Sequence, residues 1–239
     1  MSVALITGAN RGLGLEYTRQ LLDRGWHVVA CARDARSPAL VELAETFNDQ
    51  AGDQLRIRAL DVTDHAAIDA LARELDGTAL DLLINNAGTT GPKGTPACME
   101  YQGLDNMDYS IWRDIFEVNV LSVFKMATAF RPQLVASERA LLVSLSSDLG
   151  SCAQNTVGSM HSYRASKAAV NMINKGMANE WRDITCIAMA PGWCVTELGG
   201  SDAEIAPADS VAAQLDTLDK LTREDSGRFI DRFGATVPY

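Results

Sequence analysis

A phenol and an ammonium stand four residues apart in Tyr163-Arg164-Ala165-Ser166-Lys167. On a helix that spacing puts both side chains on one face. A tyrosine with an unperturbed pKa of ~10 is a sluggish base near neutrality, whereas a neighbouring ammonium stabilises the phenolate and is expected to lower that value. A proton can then pass between the phenol and a carbonyl or hydroxyl. Alone, Y-x-x-x-K also arises by chance on amphipathic helices. Here it comes last but one in an ordered series: a glycine-rich turn, Asn85-Asn86-Ala87-Gly88, Asn119, Ser146-Ser147, the Tyr/Lys pair, and Pro191-Gly192.

The turn is Thr7-Gly8-Ala9-Asn10-Arg11-Gly12-Leu13-Gly14. It follows an apolar run and opens an amphipathic one, so the N–H groups at a helix N-terminus can face a pyrophosphate while the glycines admit it close to the backbone. The spacing is G-x-x-x-G-x-G, and a glycine-rich turn can also serve only to join strand to helix. A second signal lies about 20 residues further on, where NAD-specific sites carry an acidic residue for the ribose hydroxyls. The chain instead reads Val29-Ala30-Cys31-Ala32-Arg33. Arg33 can meet a 2'-phosphate with its planar guanidinium, and Arg11 can add a second charge. Either arginine alone would read as a solvated surface group; the two together point to NADP(H), with NAD(H) as the other candidate.

These groups need a scaffold, and the sequence alternates short β-rich runs with Ala/Leu-rich amphipathic segments. Strands are expected at 3–7, 27–32, 55–60, 80–85, 140–146 and 184–190, with a short seventh at 228–231. Helices are expected at 12–24, 38–48, 64–75, 109–130 and 161–181, where apolar residues recur every three or four positions. The pattern predicts a single α/β domain with a doubly wound, parallel, seven-stranded Rossmann sheet in three layers. Two segments lack periodicity. Residues 88–108 read as a long loop at the carboxyl end of the fourth strand, the edge where ligands sit in such sheets. Residues 192–209, rich in Gly, Ser, Asp and Pro, read as a short substrate lid that could be mobile.

The ordered motifs resemble the short-chain dehydrogenase/reductase superfamily over essentially the whole chain. The resemblance implies that Ser147 hydrogen-bonds a substrate oxygen, Tyr163 is the general acid or base, Lys167 holds the nicotinamide ribose and assists the tyrosine, and Asn119 supports a proton relay. Ser147 is chosen over Ser146 because the second serine of Ser146-Ser147-Asp148-Leu149-Gly150 occupies the family's position; Ser146 is the alternative. Asn119 also reads as a helix-interior polar residue bonded to nearby backbone. A long gap before Tyr163 makes 151–160 an expanded loop.

By the same resemblance the cofactor would be lined by Gly8, Asn10, Arg11, Gly12, Leu13 and Gly14. Asp61 and Val62 would border its adenine, and Asn85, Ala87 and Gly88 its adenosine ribose. Thr196 would meet the carboxamide beside Pro191, Gly192 and Val195. Asp61 could equally cap the helix that begins near Asp64. Within the superfamily the chain is most similar to C-factor signalling proteins and sniffer-like carbonyl reductases. The marks are Met160-His161-Ser162-Tyr163-Arg164-Ala165-Ser166-Lys167, Pro191-Gly192-Trp193 and Ser226-Gly227-Arg228-Phe229-Ile230-Asp231. That likeness implies a shortened lid, an open, permissive site and a ketone, aldehyde or secondary alcohol as substrate. It also leaves room for a cofactor-binding protein that signals through partner contacts. A sugar-nucleotide epimerase of the extended branch would need a longer C-terminal region.

Composition narrows the partners. The 239 residues carry 21 Lys and Arg against 31 Asp and Glu, a formal charge of -10 that repels nucleic-acid phosphates and anionic membrane surfaces. No run approaches the roughly 20 apolar residues of a membrane span. The N-terminus has no export-signal pattern and the five cysteines are scattered, so a cytoplasmic protein with reduced thiols and no metal site is expected. Apolar residues on the 109–130 and 161–181 helices suit either a helix-to-helix homodimer or burial entirely against the sheet.

Overall fold

The computed structural model describes residues 2–51 and 54–239. Seven strands form one sheet: β1 Val3–Thr7, β2 His27–Ala32, β3 Leu55–Ala59, β4 Leu82–Asn85, β5 Leu141–Leu145, β6 Thr185–Ala190 and β7 Phe229–Asp231. All neighbours are parallel, in the order β3-β2-β1-β4-β5-β6-β7. The order reverses between β1 and β4, so a crevice opens there beyond the strands' carboxyl ends.

Both faces of the sheet are covered, which is why its central strands read as nearly continuous apolar runs, while edge strand β3 carries Arg56 and Arg58. On one face Ala4, Ile6, Val28, Ile84, Val143 and Ile187 pack under helices α1 (Gly12–Asp23), α2 (Pro38–Ala51) and a helix at Pro207–Leu218. On the other, Leu5, Val29, Leu83 and Leu142 pack under α3 (His65–Glu74) and under the helices that carry Met126, Phe130 and Met177.

Three departures from the expected elements matter for the site. The helix expected at 109–130 is α4 (Tyr109–Phe116), a π turn at Glu117–Leu121 and α5 (Ser122–Ala129). The π turn inserts at Asn119, whose fully buried side chain is held from outside the helix; such turns recur at functional positions. A short helix, α6, covers Arg131–Val135. The catalytic-motif helix follows as α7 (His161–Glu180).

The expected lid also ends sooner, because α8 (Pro207–Leu218) begins inside it, with Pro207 in the first turn where a missing N–H costs nothing. The remaining lid residues are pinned. Cys194 and Ile205 form a bridge, Thr95 N donates to Leu198 O at 2.9 Å, and Arg11 pairs with Glu197.

Candidate active site

The glycine turn is built by close approach. Gly8 adopts φ +64°, and a Cβ on Gly14 would lie 2.2 Å from Gly8 O and 2.5 Å from Asn86 Nδ2. Asn86 is the tie: its Nδ2 donates to Thr7 O at 2.7 Å and to Gly8 O at 3.1 Å. Thr7 Oγ1 accepts from Asn86 N and Ala87 N at 3.1 and 3.0 Å. The loop after β4 and the turn after β1 are therefore one rigid cradle. No side chain caps α1 at Arg11, which leaves the N–H groups of its first turn for an anion. This backbone cradle fits a pyrophosphate. Thr7 and Asn86 were not among the residues expected at the site, although Asn86 lies within the quoted Asn-Asn-Ala-Gly motif.

Arg33 is exposed at the end of β2, on the rim of the same crevice, and its charge helps hold the Asp61 carboxyl low, after the hydrogen bond from Thr63 N. Asp61 does not cap α3. Asp64 does, accepting from Ala67 N at 3.0 Å, while Asp61 folds onto Thr63. Val62 is buried beside it. Asn85 faces away from the crevice: its Nδ2 reaches Val123 O at 3.4 Å and its buried Oδ1 has no partner among the described residues. Arg11 pairs with Glu197 in the lid, both side chains being exposed. Thr196 packs over the turn, 3.2 Å from where a Gly12 Cβ would sit, with Val195 exposed beside it. Gly192 has φ +82°, and Ser210 Oγ holds Pro191 O at 2.7 Å.

Tyr163 and Lys167 lie in the first turns of α7, both buried. Lys167 Nζ donates to Leu145 O at 2.7 Å and lies 5.7 Å from the centre of the Tyr163 ring. Ser147, just beyond β5, accepts from Leu149 N at 3.2 Å, and its side chain is near enough to the phenol to oppose part of the rise that burial gives the phenol pKa. Ser146 points the opposite way and donates to Asn171 Oδ1 at 2.6 Å. Asn119 Nδ2 donates to Thr89 O and Ser166 Oγ at 2.9 and 3.0 Å, and its Oδ1 accepts from Thr89 N at 2.8 Å. Asn119 and Lys167 flank Gly88: a Cβ there would stand 3.5 Å from Asn119 Oδ1 and 3.6 Å from Lys167 Nζ.

The charges differ from the simple expectation that the ammonium lowers the phenol. Burial pushes Tyr163 up to about 12, outweighing the lowering influence of nearby Ser147. Burial also holds Lys167 down at about 8. Desolvation disfavours the charged form of each group, and at this depth it dominates.

A serine, a phenol and an ammonium thus converge beside the glycine turn at the switch point. The model of the family described as short chain dehydrogenase matches residues 2–205. The chain belongs to the short-chain dehydrogenase family. As such it is an oxidoreductase. It is 35% identical to C-signal of Myxococcus xanthus over 162 residues, 67% of this chain and 93% of that protein. Among solved structures it resembles the carbonyl reductase Sniffer of D. melanogaster, at 29% identity and a TM-score of 0.90 over 100% of both chains. It also resembles the NADPH-bound carbonyl reductase from chicken fatty liver, at 31% identity and a TM-score of 0.88, again over 100% of both. Among the described residues no helix is long and apolar enough to cross a membrane, and no cluster of His, Cys, Asp and Glu could hold a metal ion.

Proposed function

We propose that this dehydrogenase is an NADP(H)-dependent carbonyl reductase that interconverts a ketone or aldehyde with its alcohol. The observation that carries the reading is the buried Tyr163 phenol between Ser147 and Lys167, beside the glycine cradle. Bound NADPH would supply the hydride. Ser147 donates a hydrogen bond to the carbonyl oxygen and polarises it, and Tyr163, kept protonated by its burial, gives that oxygen a proton. Lys167 holds its charge against the cofactor ribose and the phenol, while Asn119 keeps the Thr89 loop and α7 in register. Arg33 meets the 2'-phosphate. The likeness to carbonyl reductases, one of them NADPH-bound, supports both the reaction and the cofactor.

Tyr163→Phe should abolish most NADPH-linked carbonyl reduction, on the order of 10²-fold or more for loss of a general acid, while NADPH still binds by fluorescence titration. Undiminished turnover would reject the mechanism. Arg33→Ala should raise the Kd for NADPH and leave that for NADH nearly unchanged; an equal loss for both would reject the phosphate contact.

A second reading, favoured by the likeness to C-signal, is a cofactor-binding protein that signals through partner contacts. Such a protein would enhance NADPH fluorescence and consume none across a carbonyl panel. We infer further that two copies pair through the π turn, α5 and α7, which carry exposed Leu121, Phe124 and Met172 respectively.

A further inference from the structure

The helix that carries Tyr163 has no cap of its own. The chain reaches it through Gly158, Ser159 and Met160 at φ +64°, +61° and +48°, a left-handed stretch in which Ser159 and Met160 each carry a steric cost. Met160, at the cap position, supplies no side-chain acceptor. The first N–H groups of α7 must therefore find partners elsewhere.

Gln102 provides them from the loop after β4. Its side chain is fully buried, and its Oε1 accepts from Tyr163 N at 3.0 Å and from Ser162 Oγ at 2.6 Å. Its backbone carbonyl accepts from His161 N at 3.2 Å. At the other end Nε2 donates to Thr90 O at 2.8 Å. Thr90 lies next to Thr89, which Asn119 holds, and Tyr101 OH reaches Lys93 O at 2.9 Å. Tyr101 also packs with Cys98, Met160 and Tyr163. One amide thus joins the substrate-side loop to the backbone of the proton-donating residue.

We propose that Gln102 is a positioning residue for Tyr163, capping α7 across space so that the loop after β4 sets where the phenol stands. The proposal rests on Tyr163 being the proton donor. A displacement of about 1 Å at a reacting group can cost on the order of 10²-fold, so loss of this clamp should appear in kcat more than in cofactor affinity.

The test compares wild type, Gln102→Leu, Gln102→Glu and Tyr163→Phe at a temperature where all are folded by circular dichroism. Gln102→Leu should lower kcat for carbonyl reduction by roughly 10- to 100-fold, with the Kd for NADPH unchanged. Gln102→Glu keeps the acceptor oxygen, and when protonated its O–H replaces the amide donor to Thr90. Its burial raises its pKa, so its kcat should approach wild type at acidic pH and fall as pH rises, a step additional to any decline the wild type shows. If Tyr163→Phe is inactive while Gln102→Leu keeps full kcat, the clamp is overturned and the reading of Tyr163 stands. If Tyr163→Phe turns over like wild type, that reading falls. The clamp is then judged by amide exchange at His161 and Tyr163: faster exchange in Gln102→Leu supports it, and unchanged protection overturns it.

Discussion

Tyr163 and Lys167 work with the charges that burial gives them. With the phenol at about 12, it stays protonated across the neutral range, as the proposed proton donor must. With the ammonium at about 8, Lys167 is charged below that pH and neutral above it. The first group to change state as pH rises is therefore the lysine. Because kcat/KM follows the ionisations of the free enzyme, kcat/KM for carbonyl reduction should hold level up to about pH 8 and decline above it. A pH–rate profile checks this, and a decline that begins only above pH ~10, the ordinary range of lysine and tyrosine, would assign the step to a group other than the buried ammonium. Ser146 and Ser147 show how finely the end of β5 partitions roles. The first serine donates to Asn171 of α7, while the second accepts from Leu149 N at 3.2 Å and keeps its hydroxyl proton for another acceptor.

The elements matter because each site loop is tied to a helix at its back. Behind Pro191 runs a buried chain: Tyr17 OH of α1 donates to Gln214 Oε1 of α8 at 2.6 Å, Gln214 Nε2 to Ser210 Oγ at 3.0 Å, and Ser210 Oγ to Pro191 O at 2.7 Å. Tyr17→Phe would leave Gln214 Oε1 buried without its donor, a cost of about 1–3 kcal/mol. Urea unfolding should show a lower midpoint with unchanged slope, and an unchanged midpoint would refute the cost. The strands and α1 were legible because their apolar runs and glycine turn are local patterns. So was α7, apart from its entry. The π turn was not, because the contacts that hold Asn119 come from Thr89 and Ser166, distant in sequence. Gln102 lay in a loop with no periodicity, and nothing nearby in the chain announces its bond to Tyr163. Helix α8 could have been read: Pro207 opens it and Val211, Leu215 and Leu218 recur at i, i+4 and i+7. Its acidic and glycine-rich approach masked the start.

At the scale of the molecule, the sheet's two faces are covered unequally toward solvent. On the side of α3, α5 and α7, the π turn lies against α7 through Asn119 and Ser166, and the outer surfaces carry Leu121 at 49% exposure, Phe124 at 49% and Met172 at 73%. Isolated exposed apolar side chains need no explanation, but these three lie on elements that cover the same side of the sheet, which a second copy could cover in turn. A twofold pairing is self-complementary, so each Phe124 would find the partner's helices without any further surface being required. The net charge of -10 opposes close approach of two chains, and salt should ease it. Light scattering is expected to give twice the mass of one chain, with the dimer fraction rising from low to ~0.15 M salt. Phe124→Glu with Met172→Glu should give a folded monomer, since two buried like charges at a symmetric interface meet their own copies. A wild-type protein that stays monomeric at high concentration and moderate salt would remove α5 and α7 as the pairing face.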